Sequence, residues 1–515
     1  MQITVPTRDE IHAAYLQGEE AVVSLIGELG QQVAALADVV SQQGEALQAL
    51  QGRLSQDSQT SSRPPSSDGY KKAKRQPRTE SLRERGQKPN GGQPGHEGHR
   101  LEFSEQVDHS ELHGVSTCPH CQLSLSEVEV VGCEERQVFD IPAIRIEVTA
   151  HRAEIKVCPR CGQTSKGQFP SGVTQSTQYG RGVQTWASYL THQHFIPLER
   201  TAQLFEDLLG HRISEAMVLK AGEALDRCVA PSTEAIKEQL HASEVLHLDE
   251  SGIRVIGKLH WLHVSSTDRL THYEVHGKRG QVAMDAIGLL EAFSGRAVHD
   301  HWKPYFQYDC DHALCNAHHL RELQYIEKQY QQPWASQMAH LLRSIKKRVA
   351  ATKATVDHLP ASQIKAFEQE YDDLLTAGFA DTPDPPPTPS AGSPKKRGRP
   401  KRTPPLNLLI RLRDFKPQVL AFMYDFRIPF DNNQAERDVR MVKVQQKVSG
   451  CFRTLEGAQR FGRIRGYIST ARKNAKNVFD AIRDALDGNP FMKSFELGYP
   501  FLWKGRKSSA CRRQA

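Results

Sequence analysis

The most regular pattern of apolar and polar positions lies near the start of the chain. Ile26, Leu29, Val33, Leu36, Val40, Gln43, Leu47, Leu50 and Leu54 recur at alternating steps of three and four residues. That period keeps one helix face apolar. It predicts a helix over residues 20–55, and its persistence predicts a coiled coil that pairs copies of the chain as a homodimer or higher oligomer. Gln43 in the seam would set register or oligomer state. Gly27, Gly30, Gly44 and Gly52 weaken the helix. Packing against the chain's own domain is the alternative use of the same stripe.

The periodicity then stops. Residues 56–100 are rich in Ser, Pro, Gly and Gln, with ten Lys/Arg against five Asp/Glu. Such a stretch buries too little apolar surface to order itself. It reads as a disordered basic linker over residues 58–112, suited to tracking phosphates or to serving as a solvated tether. Beyond it, short runs predict strands at 126–131, 137–141 and 144–151. These lie between Cys118-Pro-His-Cys121 and Cys158-Pro-Arg-Cys161, two pairs separated by 36 residues. Each pair fits a tight turn that aims two thiolates at one ion. Residues 113–170 therefore predict a zinc ribbon, with Cys118, Cys121, Cys158 and Cys161 holding a structural Zn2+. Redox pairing is the weaker alternative, because no βαβ pattern surrounds the cysteines. Cys133 is expected to be an ordinary buried thiol.

Residues 171–235 return to the helical period. Helices are expected over 179–194, 197–209 and 215–228, with Pro197 opening the second, a turn at Gly210 and Ser214 capping the third. Helix, short turn and capped helix is the outline of a DNA-binding helix-turn-helix, and also of a plain three-helix bundle.

From residue 244 the pattern changes to strands. Three are expected over 245–249, 259–265 and 270–275, then an amphipathic helix over 281–293. A fourth strand over 297–300 ends in an acid, and a fifth over 311–316 leads into a helix over 317–329. This is the element order of a ribonuclease-H-like core of the retroviral-integrase type, in which acids on the first and fourth strands lie side by side. Asp249 and Asp300 fit those places. A buried carboxylate is costly unless it meets a partner or a cation. Glu250 competes with Asp249, but adjacent strand residues point to opposite faces. Asp309 and Asp311 compete with Asp300 and read as turn or surface residues. A third carboxylate, Glu436, falls in the first turn of a late helix that Asp431, Asn432 or Asn433 can cap. Three converging carboxylates suit two Mg2+ (or Mn2+) ions in phosphoryl transfer. Cys315-Asn-Ala-His318 has metal-ligand spacing, but without a second pair it reads as packing or positioning beneath the site.

These motifs together resemble a bacterial DDE transposase of the insertion sequence sixty-six family. The resemblance is carried by Arg63-Pro-Pro-Ser-Ser-Asp68, Gly91-Gly-Gln-Pro-Gly-His96, the four-cysteine region, His247-Leu-Asp-Glu-Ser-Gly252, Val298-His-Asp300 with Tyr305, Cys315-Asn-Ala-His318-His-Leu-Arg321 and Asp431-Asn-Asn-Gln-Ala-Glu-Arg437. Lys447-Val-Ser-Gly-Cys-Phe-Arg453 and Ser469-Thr-Ala-Arg472 add to it. The resemblance implies Asp249, Asp300 and Glu436 as catalytic and magnesium-binding residues, zinc on the four cysteines, and terminal-inverted-repeat DNA as substrate. It also implies small accessory proteins encoded by the same element. Ser251 stands where the resemblance leads one to expect Thr, a conservative departure.

Between Asp300 and Glu436 lie 135 residues, more than a helical crossover needs. Residues 331–405 read as a helical insertion, with charged helices over 335–355 and 361–377, closed by a Pro-rich linker. That linker holds Lys395-Lys-Arg-Gly-Arg-Pro-Lys-Arg402, whose Arg397 and Arg399 resemble an AT-hook for a narrow minor groove. A plain basic linker is the alternative. After Glu436 come Arg437, Arg440, Lys443, Lys447 and Arg453, then Arg460, Arg463, Arg465, Arg472, Lys473 and Lys476. Arg440 and Lys443 recur on Glu436's own helix face, where a scissile phosphate would lie.

The chain thus reads as multidomain α+β. Residues 1–57 form the N-terminal helix, 113–170 the zinc unit and 171–235 the helical DNA-binding unit. The core spans 240–330 and 406–487, and 488–515 form a C-terminal element with a basic tail. At 515 residues, a net charge of +7 and ten cysteines, composition adds a reducing compartment and clustered basic surface suited to DNA. No uninterrupted apolar run of about 18 residues predicts a membrane span, so a cytoplasmic, nucleoid-associated bacterial protein is expected. Two rivals remain: a ribonuclease-H-like nuclease without strand transfer, and a non-catalytic zinc-containing DNA-binding regulator.

Overall fold

Thr7 opens the first helix by a reciprocal cap. Its backbone N–H donates to the Glu10 carboxylate at 2.7 Å, and its hydroxyl accepts from the Glu10 N–H. Helix α1 (Arg8–Gln17) ends at Gly18, whose φ of 109° few other residues tolerate, and α2 (Glu19–Leu54) follows. The helix expected from the heptad pattern is present, and Val23, Ile26, Val33, Val40 and Leu47 are exposed along it. The window Glu19–Val40, of mean hydropathy 1.2, is long and apolar enough to cross a membrane, which qualifies the expectation of no span. Its apolar residues run as a stripe, however, with Glu20, Glu28 and Asp38 set among them. The computed structural model describes residues 5–54, 101–382 and 402–492. Arg397, Arg399, the motifs at 63–68 and 91–96, and the basic tail lie outside the described residues.

The chain divides into two units. One comprises Lys72–Gly167 with Leu204–Arg212. Its ladder is the short antiparallel pair β1 (Ile155–Val157) and β2 (Thr164–Lys166), which brackets the second cysteine turn. The strands expected over 126–151 do not form. Those runs meet no partner strand among the described residues, and Val128, Val130, Val138 and Val148 stay exposed. Cys133 is exposed too, not buried as expected.

The other unit holds the rest. Helix α3 (Arg181–Ser188) runs into a π-turn at Tyr189–Gln193, followed by α4 (Leu198–Leu209), whose residues from Leu204 on fall in the first unit, and α5 (Glu215–His241). The Ser214 hydroxyl accepts from the Met217 N–H at 3.1 Å, the cap expected of it. Helix α5 continues well past the expected end at Cys228, because its apolar side runs on into the core. A mixed sheet follows: β3 (Val245–Val255), β4 (Lys258–Ser266), β5 (Thr271–His276), then α6 (Gln281–Ile287), β6 (Arg296–His299), a 3-10 turn at Lys303–Gln307 and β7 (Asp311–Leu314). Gly288 takes a left-handed conformation and ends α6 six residues before the expected 293. The strand order is β5-β4-β3-β6-β7, with β3, β4 and β5 antiparallel and β6 and β7 parallel to β3.

The remaining helices are α7 (Asn316–Tyr330), α8 (Pro333–Thr352), α9 (Ala361–Asp381), α10 (Pro404–Asp414), α11 (Lys416–Val419), α12 (Ala421–Tyr424), α13 (Asn433–Ser449), α14 (Leu455–Lys473) and α15 (Val478–Leu486). The insertion helices α8 and α9 are not a loose appendage. Trp334, Leu342 and Tyr371 are fully buried in one cluster with Val298, Leu314, Leu408 and Met423. Leu225 and Val229 of α5 pack with Ile464, Tyr467 and Ile482 of α14 and α15, so the helical segment shares its core with the chain's late helices. Helix α14 lies directly on β5: a Cβ on Gly466 would meet the Thr271 carbonyl at 3.0 Å.

The pleat sorts β3 into two faces. Leu246 and Leu248 join Ala297, Met284 and Tyr305 in one cluster. Ile253 and Val255 join Val264, Val439 and Val442 on the other, beneath α13. The odd-numbered residues, Asp249 among them, therefore face α13.

Candidate active site

The β3–β6 register pairs His247 with Val298. Two residues further along both strands stand Asp249 and Asp300. The sheet thus sets two carboxylates side by side on neighbouring parallel strands, and both are half-buried. Helix α13 brings the third. Asn432, buried at its N-terminus, donates from Nδ2 to the Leu248 carbonyl at 2.7 Å, and its Oδ1 lies 2.8 Å from His247 Nδ1. Its backbone N–H donates to Cys315 Sγ at 3.1 Å. One asparagine therefore ties α13 to β3 and to the start of α7. Because Nδ2 already donates, Oδ1 is the acceptor, and His247 carries its proton on Nδ1. Asn432 is the N-cap, as one of the three expected candidates, but it makes no side-chain cap bond. Asp431 Oδ1 instead accepts from the Asn433 N–H at 3.2 Å.

The three carboxylates interact. Asp249 is held well above the usual carboxylate range, first by burial, then by the charges of Glu250, Asp300 and Glu436. Asp300 is pushed up to about 7 by burial and the Glu250 charge, against the opposing pull of Arg279. Packing anions this closely without a cation is unfavourable, so the donor set fits divalent metal.

Glu250 plays a part that sequence reasoning missed. It is buried on the face opposite Asp249, its Oε1 accepting from Arg279 Nε at 2.7 Å and its Oε2 from the Tyr305 hydroxyl at 2.6 Å. Arg279 in turn lies over the Trp302 ring at 4.0 Å and the Trp261 ring at 5.0 Å. The pleat argument separates Asp249 from Glu250 by face. Nothing in the sequence marks Arg279, on the far side of two strands, as the partner of Glu250.

Glu436 is held more loosely. Its Oε1 lies 3.4 Å from Arg321 Nη2 and 3.8 Å from His318 Nδ1, and its Oε2 lies 3.7 Å from Arg440 Nη2. Among the described residues, Cys315, His318 and Glu436 form a group whose ligand atoms all lie within 4.8 Å of one another. Burial and the nearby guanidinium groups push His318 down to about 3, so its ring is neutral. Burial and the Glu436 charge push the Cys315 thiol up to about 12.

The basic residues divide. Arg437, Arg440, Lys447 and Arg453 are exposed. Lys443 turns inward and donates to the Gly252 carbonyl at 2.6 Å. Further on, the expected basic face largely dissolves into internal pairs. Arg463 holds Asp226, Arg465 donates to the His192 carbonyl and Gln193, and Lys473 holds Asp438. As expected, Asp309 and Asp311 are exposed, and Asp311 pairs with Arg296 at 2.7 Å.

In the cysteine unit both turns form. The Cys118 N–H donates to the Leu123 carbonyl at 2.9 Å and the Cys158 N–H to the Gln163 carbonyl at 2.8 Å. Backbone N–H groups of Cys121 and His120 lower the Cys118 thiol, and those of Cys161 and Arg160 lower Cys158. Amides aimed at sulfur favour thiolate, so each turn suits a metal-binding knuckle. The four sulfurs do not converge as the Cys315 group does; each pair keeps to its own turn.

Two such turns are the mark of proteins with a zinc-finger-type domain. A family model described as the zinc-finger binding domain of transposase IS66 matches residues 116–162 and covers all four cysteines, which supports structural zinc there. A second, described as Transposase IS66 family, matches residues 176–460, more than half of the chain. The chain belongs to the IS66 transposase family. A third, described as a family of unknown function (DUF6444), matches residues 11–102. No curated protein matches the sequence.

Proposed function

We propose that this transposase binds the terminal inverted repeats of its insertion element and catalyses 3′-end cleavage and strand transfer through Asp249, Asp300 and Glu436. The observation that carries the reading is geometric: the β3–β6 register sets Asp249 beside Asp300, and Asn432 ties the helix that bears Glu436 to β3. The strand order, three antiparallel strands followed by two parallel ones, is that expected of a ribonuclease-H-like core. Two Mg2+ (or Mn2+) ions held by the three carboxylates would supply activation of a water or 3′-hydroxyl and neutralisation of the leaving oxygen. The chain's own residues would orient the reaction: Asn432 fixes α13 over β3, and Arg440, beside Glu436, offers charge to a scissile phosphate.

Around this centre, exposed Arg437, Lys447 and Arg453 would follow the DNA backbone, while Lys443, turned inward to the Gly252 carbonyl, would tie α13 to β3 instead. The stripe on α2 would pair subunits as a coiled coil. Helices α3 to α5 and the zinc unit would engage element ends, and Arg397 and Arg399 an A·T-rich minor groove. A bacterial, nucleoid-associated location and small companion proteins complete the reading.

The test is a cleavage and joining assay on element-end DNA with Mg2+. Asp249→Asn, Asp300→Asn and Glu436→Gln should each abolish both steps while retaining DNA binding. A variant that still cuts overturns the assignment of that residue. Cleavage without joining of pre-cut ends would make the protein a nuclease.

A further inference from the structure

We propose that Cys315, His318 and Glu436 form a second zinc site, separate from the cysteine knuckles, at the junction of α7 and α13. Thiol, imidazole and carboxylate is a donor set suited to Zn2+ rather than Mg2+, with a fourth position left for water. The three ligand atoms already lie within 4.8 Å of one another, and His318 Nδ1 stands 3.8 Å from Glu436 Oε1.

Three further observations point to a ligand here. His318 Nδ1 is buried and has no hydrogen-bond partner among the described residues. An orphaned buried ring nitrogen is costly unless something binds it. Glu436 meets its three neighbours only at 3.4 to 3.8 Å, whereas buried Glu250 is engaged at 2.6 and 2.7 Å. Its carboxylate is thus held only by long contacts, the shortest from Arg321, and can still turn to a ligand. Cys315 stands at the N-cap of α7, and the Asn432 N–H donates to its sulfur at 3.1 Å. A backbone donor on the sulfur of this kind orients a metal-bound thiolate. On binding, the ion takes the place of the thiol proton, which leaves to solvent, the ring nitrogen gains the partner it lacks, and the carboxylate exchanges its long contacts for a direct ligand bond. Because Glu436 is shared, zinc here would withdraw it from Asp249 and Asp300. On the proposed transposase reading, micromolar Zn2+ then inhibits DNA cleavage.

The binding test does not depend on that reading. Zinc per chain is measured by elemental analysis on the full chain carrying Cys118→Ser, Cys121→Ser, Cys158→Ser and Cys161→Ser, which removes both knuckles. Adding Cys315→Ser, or separately His318→Gln, should lower the content by one further ion per chain. In the same background, Co2+ should give a thiolate-to-metal absorption band that Cys315→Ser removes. Thermal unfolding verifies that each variant is folded, and His318→Gln stands in should Cys315→Ser fail. Equal zinc content with and without His318→Gln, or a cobalt spectrum without the thiolate band, overturns the site and leaves the transposase reading intact.

Discussion

The Tyr305 hydroxyl donates to Oε2 of Glu250 at 2.6 Å, and Glu250 is the immediate sequence neighbour of Asp249. The bond holds the Glu250 carboxylate behind the two candidate catalytic aspartates, and its proximity raises both. Glu250→Gln should therefore let Asp249 and Asp300 ionise at lower pH and shift the acid limb of any metal-dependent activity downward. It also strips Arg279 of its anion. The cost should be about 3 kcal/mol, the low end for breaking a buried pair, because Arg279 keeps some access to solvent. A pH–rate profile and a denaturant titration check the two halves separately.

Asp300 makes a second pH prediction. Its folded-state pKa, pushed up to about 7, lies above the unfolded value of about 3.9. A raised carboxyl contributes stability that is fully present below about pH 3.9 and is lost as pH rises from there through about 7. Divalent metal binds the ionised form and reverses the penalty. Magnesium should therefore raise the melting temperature more at about pH 8 than at about pH 6, and Asp300→Asn should flatten that difference. Equal magnesium shifts at both pH values would remove Asp300 from the metal site.

Much of this centre was legible in the chain. An apolar run ending in Asp249, and a short strand ending at Asp300, predicted the adjacent acids because strand order and pleat follow from hydrophobic spacing. Local caps such as Ser214 were readable because a hydroxyl before a helical run can accept from the first free N–H groups. Three things were not. The extended runs at 126–151 alternate like strands, but alternation does not supply a partner. The charged insertion helices hide Trp334 and Tyr371, whose burial depends on α10 and α12 far along the chain. The late basic run looked like one DNA-facing surface, yet Asp226 and Asp438, distant in space-blind sequence reading, claim Arg463 and Lys473.

Asn432 concentrates three contacts in one buried side chain and its backbone. Asn432→Ala leaves the Leu248 carbonyl and His247 Nδ1 without partners, at about 1–3 kcal/mol each. It should also loosen α13 over β3 and misplace Glu436. We expect lost stability together with a fall in cleavage rate of about 100-fold, the scale of a roughly 1 Å misplacement. Asn432→Asp keeps the acceptor for His247 but not the donor to Leu248, so it should recover part of the stability. A variant as active as the parent would show that the ties do not position Glu436.

The cations after Glu436 allow a sharper separation of structure from binding. Lys473 is half-buried and donates to Asp438 Oδ2 at 2.8 Å and to the Thr267 and Leu270 carbonyls at 2.8 and 3.0 Å. Lys473→Met strands a buried carboxylate and should cost about 3–5 kcal/mol. Its DNA affinity, corrected for the folded fraction, should keep the parent's salt dependence. Lys447 and Arg453 are exposed. Substituting either by Ala should change stability by no more than about 0.5 kcal/mol. Each should instead weaken DNA binding and reduce the salt slope by about 1. Denaturant unfolding and DNA titrations at several salt concentrations distinguish the classes. If Lys473→Met lowers the slope like Lys447→Ala, the buried pair opens to meet DNA.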